Sequence, residues 1–508
     1  MAGFLQEDIS DSEQKDPAKF SRQGTRLWKG LGTHRAMRII RPVTTFSFLA
    51  LCVVCRWMFR CILLASVAAD APVPLPVKEI TEAPSAGGVV DVFNAHIRDH
   101  PDGDLAFSFD HHTYERADRA TMSEFPIGVF DSGIGGLTVL EALLHADFFD
   151  NDTMKPGADG RLDFVGEKFV YLGDQANMPY GNYPASDRTD YLRELILKDA
   201  VFLLGKRYHS LTVDGRMATH FDKAPVKAIV IACNTATAFG MEDVQAMLGR
   251  WGVPVLVVGV VDAAARGLKE TPGEGAVGVL ATLGTCVSNV YPKTVARAFG
   301  MAGRAHPLMT QWGSAQLAGV IEGDPAYRTS IEAQAAADVE ALVRTHREAN
   351  VSVNGARVPL QKIILGCTHF PLVIPQIEAA FERLRSRPEF ADWIAQRREF
   401  VNPAEWTARE LFRELARARL RRSALFSAEE KIKQTPTAAF FISIANDKSA
   451  GVRLAAPGVL DANYKYSSQA GDLKVEDTIV VPMSRNQLPE TGRSLVREKL
   501  PAVWNAMQ

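Results

Sequence analysis

Cysteine is scarce in this chain, six in 508 residues, too few for the disulfide framework of a small secreted scaffold. Cys52, Cys55 and Cys61 share one apolar segment, so the body of the protein keeps Cys233, Cys286 and Cys367. Net charge is low as well, formally −2 at pH 7, and without a global basic surface nucleic acid is not an expected partner. The glycine-rich turn that follows Asp131 lacks the lysine and serine or threonine of a phosphate-binding loop. Gly136 also follows Gly135 directly, which breaks the dinucleotide spacing. No lysine motif for pyridoxal phosphate is seen. The adjacent His111 and His112 are too few for a metal site. The run 488–492 matches a sortase signal, but no apolar anchor and basic tail follow it.

What is there reads as globular: 47% hydrophobic and 23% charged residues over a length that suggests roughly two to four domains. Residues 1–70 open with a basic stretch from Lys19 to Arg41 and continue into an apolar run, 46–69, interrupted by Arg56 and Arg60. That order is the layout of a secretory signal or anchor, although an arginine at the bilayer centre costs at least about 2.5 kcal/mol. It tilts the expectation toward an exported or membrane-anchored protein with membrane contact through 46–69; a cytoplasmic location is the alternative. Residues 71–125, with Pro72, Pro74 and Pro76 at their start, read as a polar, solvated linker.

Two later stretches resemble each other. Val226-Lys227-Ala228 through Ala232 run into Cys233-Asn234-Thr235, and Gln361 through Gly366 run into Cys367-Thr368-His369. Short apolar runs of this kind predict buried parallel strands, and in open α/β sheets ligands bind at the carboxyl ends of strands. Two thiols on opposite sides of one pocket could take a proton from one face of a carbon and return it on the other. Against this stands the ordinary role of a buried cysteine as a small hydrophobe, but the polar residues after each thiol are not those of a core strand. The folded region starts with the strand 126–131, whose glycine turn and following helix favour a small carboxylate; Asp131 is either a helix cap or a charged partner in the site. A second strand, Lys168 to Leu172, leads to Gly173-Asp174 and a Pro179-Tyr180-Gly181 turn that sets Tyr180 at a loop tip. Thr282, Thr285, Ser288 and Tyr291 recur every third residue at a helix start, as caps or carboxylate ligands. Strand–helix alternation over 126–445 predicts a doubly wound α/β architecture.

Five of these segments, in this order, resemble the glutamate racemase family of the aspartate/glutamate racemase superfamily: 127–137, Gly173-Asp174 with Pro179-Tyr180-Gly181, 232–236, the threonine–serine–tyrosine series, and 365–372. The resemblance covers about 126 to 445. It implies two similar doubly wound α/β lobes with the active site between them. The first lobe is expected over 126–252, completed by about 400–445, and the second over 253–399, with 446–508 a carboxyl-terminal extension outside the pattern. It also implies cofactor-independent, two-base racemisation of glutamate, supplying D-glutamate for peptidoglycan. Carried onto matching positions, Cys233 and Cys367 are the two acid/base residues, Asp131 assists Cys233, and His369 assists Cys367. Asp131, Ser132, Tyr180, Gly181, Asn234, Thr235, Thr368 and His369 hold the amino-acid substrate, with Thr282 and Thr285 as further carboxylate ligands. A homodimer stays open.

The chain departs from the family in one place that matters. The acidic residue expected a few positions after Pro307-Leu308 is replaced by Gln311, Trp312 and Gly313, and the next acid is Glu322. Insertions fall near 206–223, 345–358, 384–398 and 421–436. The alternatives are a related aspartate, hydantoin or other racemase, a one-cysteine decarboxylase, or a binding protein that keeps the fold without turnover.

Overall fold

The computed structural model describes residues 87–508, apart from 213–215, 272, 274, 324–326, 351–356, 423–435, 489 and 508. The basic lead, the apolar run 46–69 and the prolines at 72–76 lie outside the described residues. Among the described residues no helix is long and apolar enough to cross a membrane.

Two sheets carry the architecture. The first has six strands in the order β14-β11-β2-β1-β5-β6: β1 (Ile127–Asp131), β2 (Lys168–Gly173), β5 (Ala228–Ile231), β6 (Leu256–Gly259), β11 (Thr437–Ala445) and β14 (Thr478–Pro482). β1 and β5 are buried along their whole length, as continuous apolar strands covered on both faces must be. All neighbours are parallel except β14, which pairs antiparallel with β11 at the edge. The second sheet is wholly parallel, in the order β10-β9-β7-β8, from β7 (Ala276–Thr282), β8 (Met309–Ser314), β9 (Leu360–Gly366) and β10 (Ile394–Val401). A hairpin, β3 (Tyr208–Leu211) with β4 (Met217–His220), fills the expected 206–223 insertion, and a short pair, β12 (Leu454–Ala456) with β13 (Val459–Leu460), follows β11.

Among the described residues the helices of eight or more residues are α1 (Gly87–Asp99), α2 (Leu137–His145), α3 (Thr189–Leu204), α4 (Asn234–Arg250), α5 (Val260–Glu270), α6 (Val290–Gly300), α7 (Ile331–Asn350), α8 (Ile374–Arg385), α9 (Pro403–Ala418) and α10 (Glu490–Lys499). α9 starts from a Pro403 first turn capped by the Asn402 side chain and packs against both α2 and α5. In each sheet the chain leaves a central strand in both directions: β1 lies between β2 and β5, and β7 between β8 and β9. Such switch points open crevices at the carboxyl ends of strands, and both cysteine motifs lie at them. The fold is thus two doubly wound α/β lobes.

The lysines near the start of each cysteine strand lie at the opposite end from the thiols. Lys227 is buried, its Nζ 2.7 Å from Glu167 Oε2 and 2.6 Å from the Ser123 carbonyl, and Lys362 Nζ reaches the Thr271 carbonyl at 2.7 Å.

Three expected boundaries move. Residues 71–125 are not a solvated linker throughout: from Gly87 they fold onto the first lobe, α1 packing on α3 and α4, with Phe93, Ile97, Phe109 and Tyr114 buried in the core. The apolar face of α1 recurs at helical spacing, so its burial outweighs the polar average of the segment. His111 packs against Trp251, ring centroids 4.6 Å apart and the planes tilted by 45°. Leu256–Gly259, assigned by the sequence to the second lobe, pairs with β5 in the first sheet. The extension 446–508 supplies β14 to that same sheet.

Candidate active site

The first lobe contributes the turn after β1. Asp131 Oδ2 accepts the amides of Gly133 (3.1 Å) and Gly136 (3.0 Å), so this carboxylate does cap the turn. Its Oδ1 is buried with no partner, an arrangement that costs free energy unless a donor arrives. Gly136 has to be glycine, because a Cβ there would stand 2.3 Å from Asp131 Cβ. Cys233 forms the amino-terminal cap of α4. Its Sγ accepts the Ala236 amide at 3.4 Å and lies 3.8 Å from Ser132 Oγ.

The second lobe contributes the tip of β9. Cys367 Sγ lies 3.7 Å from His369 Nδ1, and His369 Nε2 lies 2.6 Å from Glu322 Oε1. Glu322 ends the short helix Leu317–Glu322, which Gly323 closes in the left-handed conformation, φ 75°. The lobes meet at this tip. A Cβ on Gly135 would stand 2.3 Å from His369 Cε1, and the Thr138 hydroxyl of α2 lies 3.0 Å from the Thr368 carbonyl.

Hydroxyls form a second bridge between lobes. Thr235 Oγ1 of α4 lies 3.2 Å from both Thr282 Oγ1 and Thr285 Oγ1, which are 2.9 Å apart. Thr282 also caps the short helix Leu283–Val287 through the Thr285 amide. Tyr291 OH donates to Asn234 Oδ1 at 2.6 Å, while Ser288 turns back to the Thr285 carbonyl. Gly181 faces Thr282 and Gly284 across the interface, where a Cβ on Gly284 would stand 2.8 Å from the Gly181 carbonyl.

The structure therefore gathers Asp131, Ser132, Cys233, Asn234, Thr235, Thr282, Thr285, Cys367, Thr368 and His369 around the interface, with Gly181 at its rim. Tyr180 is the exception. Its ring is buried and its hydroxyl lies 2.5 Å from Asp174 Oδ2 and 2.8 Å from Asp199 Oδ2, turned into the first lobe and not standing at an open loop tip. A phenol has one proton to donate, so the second short contact requires a protonated carboxyl. Burial raises both aspartates, Asp199 well above the usual carboxylate range. The need of two buried carboxylates for a donor decides where Tyr180 points.

The missed residue is Glu322, and the acid lost after Pro307-Leu308 is replaced from that later position. The only sequence signal for it was being the next acid along the chain.

Electrostatics divide the two thiols. Burial, then the charge of Asp131, pushes the Cys233 thiol up. Asp131 is itself pushed up by burial, to about 6, against the opposing pull of His369 and the two turn amides. Burial disfavours the His369 imidazolium, but its bonds to Cys367 and Glu322 outweigh that and hold its pKa well above the usual histidine value. One tip thus offers a protonated sulfur beside a carboxylate, the other a sulfur beside a cationic ring. Both cysteines are nearly closed off, 6% and 5% exposed.

Residues 211–388 match the family model described as Asp/Glu/Hydantoin racemase. The chain is 31% identical over 265 residues to a glutamate racemase of Latilactobacillus sakei, covering 51% of this chain and 72% of that protein. It is 31% identical over 254 residues to a glutamate racemase of Enterococcus faecalis, covering 50% and 70%. Among solved structures, a glutamate racemase isoform of Bacillus anthracis aligns with a TM-score of 0.42 at 24% identity, over 63% of this chain and 89% of that one. The chain belongs to the glutamate racemase family and is an amino-acid racemase, an isomerase.

Proposed function

We propose that the protein interconverts L- and D-glutamate by a cofactor-independent two-base reaction, and that its D-glutamate serves peptidoglycan synthesis. The observation that carries this reading is the pair of strand-tip cysteines, each with its own acid/base neighbour: Cys233 beside Asp131, and Cys367 beside the His369–Glu322 pair. Asp131 Oδ1, buried and unpartnered, is the acceptor for the substrate ammonium. Ser132, Thr235, Thr282, Thr285 and the α4 amino terminus, with Asn234 and Thr368, supply donors to the carboxylates.

With L-glutamate bound, Cys367 as thiolate takes the α-proton, the electron pair passes into the carboxylate-stabilised carbanion, and the Cys233 thiol returns a proton on the opposite face. The reverse reaction exchanges the roles. The α-proton is weakly acidic, so fixed donors and charges in a closed, water-poor cleft must stabilise the carbanion. Export or anchoring is proposed from the composition of residues 46–69 alone.

The test is direct. The protein, dialysed against chelator and given no pyridoxal phosphate, is incubated with each enantiomer of glutamate and of aspartate while optical rotation is followed. Both glutamate solutions should decay to zero rotation. Racemisation of aspartate alone would hand the reading to a sister enzyme, and activity only after pyridoxal phosphate or metal is added would overturn the mechanism.

A further inference from the structure

Residues 446–508 lie outside the racemase pattern, yet they pass from the first lobe to the helix that carries Glu322 and back. β14 lengthens the first sheet, pairing Ala445 with Thr478 through Phe441 with Pro482. The chain then reaches the second lobe, where the first turn of α10 lies on the helix that carries Glu322. There the Thr491 hydroxyl donates to the Glu322 carbonyl at 2.7 Å. The contact is close: a Cβ on Gly323 would stand 2.7 Å from Thr491 Cγ2. From there the chain returns to the first lobe, the Ala502 and Val503 amides donating to the Glu141 carboxylate of α2 at 3.1 and 2.8 Å. Leu488, Val496, Leu500, Val503 and Met507 are buried along the way.

A six-residue helix has little stability of its own and leaves its last carbonyls without helical partners; buried Leu317 and Ile321 anchor its body, and what binds its last carbonyl fixes its end. We propose that Thr491 is a positioning residue: through the Glu322 carbonyl, the carboxyl-terminal segment holds the Glu322 carboxylate against His369, and so sets the base Cys367. This rests on the proposed roles of Glu322, His369 and Cys367. The extension is then a working part of the enzyme, supplying from outside the racemase pattern the support that a displaced acid needs.

The test compares Thr491→Val, Thr491→Ser and Glu322→Gln in the full chain, measuring kcat, KM and melting temperature, with α-deuterated L- and D-glutamate for isotope effects. Loss of one hydrogen bond predicts a fall in kcat/KM of about threefold to tenfold for Thr491→Val, carried by kcat with KM little changed. The isotope effect should rise for L-glutamate, whose proton goes to Cys367, and serine should restore both values. Equal losses in the valine and serine variants would overturn the proposal, since the effect would then follow shape and not the hydroxyl. So would wild-type kinetics in Thr491→Val while Glu322→Gln is impaired. Wild-type kinetics in Glu322→Gln would instead remove the role of Glu322, and the proposal with it.

Discussion

Glu322→Gln isolates the charge of one carboxylate while keeping its size and an acceptor oxygen. In the protein this carboxylate lies 2.6 Å from His369 Nε2, and the two side chains are only 11% and 4% exposed. A hydrogen bond to a charged group is worth about 1.5–3 kcal/mol net, which converts to a factor of roughly ten to a hundred in rate. The lower part of that range is expected, because the glutamine oxygen still accepts from Nε2. The loss must appear equally in both directions: L- and D-glutamate are mirror images, their equilibrium constant is one, and the two kcat/KM values therefore stay equal in every variant. Polarimetry from each enantiomer, with initial rates at several concentrations, measures this. Retention of wild-type kcat/KM within about twofold would refute the reasoning, because a buried imidazolium that loses its counter-charge cannot leave a neighbouring base unaffected.

Cys233→Ala and Cys367→Ala should each abolish racemisation, with weak exchange of the α-proton in deuterated water, followed by NMR, surviving only for D-glutamate where Cys233 remains and only for L-glutamate where Cys367 remains; near wild-type racemisation by either variant would refute the two-thiol mechanism. Asp131, raised from 3.8 to about 6, should make kcat/KM fall as pH drops through about 6, and Asp131→Asn should be nearly inactive and lack that limb. The same shift gives a stability test with a definite sign: because the folded pKa lies above the unfolded one, the contribution of Asp131 is fully favourable below about 3.8 and is lost as pH rises through about 6. Urea melts should therefore find Asp131→Asn more stable than wild type at pH 8, by up to about 3 kcal/mol from the two pKa values, and level with it near pH 4; equal stability at both pH values would count against a buried, strained carboxylate.

The parts of the site legible in the sequence were those fixed by local backbone chemistry. The runs ending at Cys233 and Cys367 are apolar because both faces of their strands are covered, and that pattern survives any detail of packing. The glycine turn after Asp131 was legible for the same reason. Glu322 was not, because it meets His369 across 47 residues from the end of a helix whose position is set by tertiary contacts. Tyr180 was misread because its hydroxyl answers to Asp174 and Asp199, the latter on α3, and no spacing rule links them. α1 was hidden by averaging: Val89, Val90, Phe93 and Ile97 recur at helical spacing and are buried, but prolines and polar residues on either side make the whole segment look like a linker.

The additions to the racemase unit share a direction. α1 packs on α3 and α4, the β3–β4 hairpin lies along β14, and β14 itself closes the edge of the first sheet. All three thicken the first lobe and leave the strand tips that carry Cys233 and Asp131 untouched. α10 crosses to the second lobe, and it does so at Glu322. An enlarged first lobe that also grips Glu322, behind His369 and Cys367, has a hold on each side of the cleft. In the proposed reaction, any parting of the lobes requires α10 to move with the Glu322 helix or let go of it. If it moves with the helix, His369 keeps its carboxylate through the whole cycle; if it lets go, the second base is assembled only on closure, when the carbanion needs it.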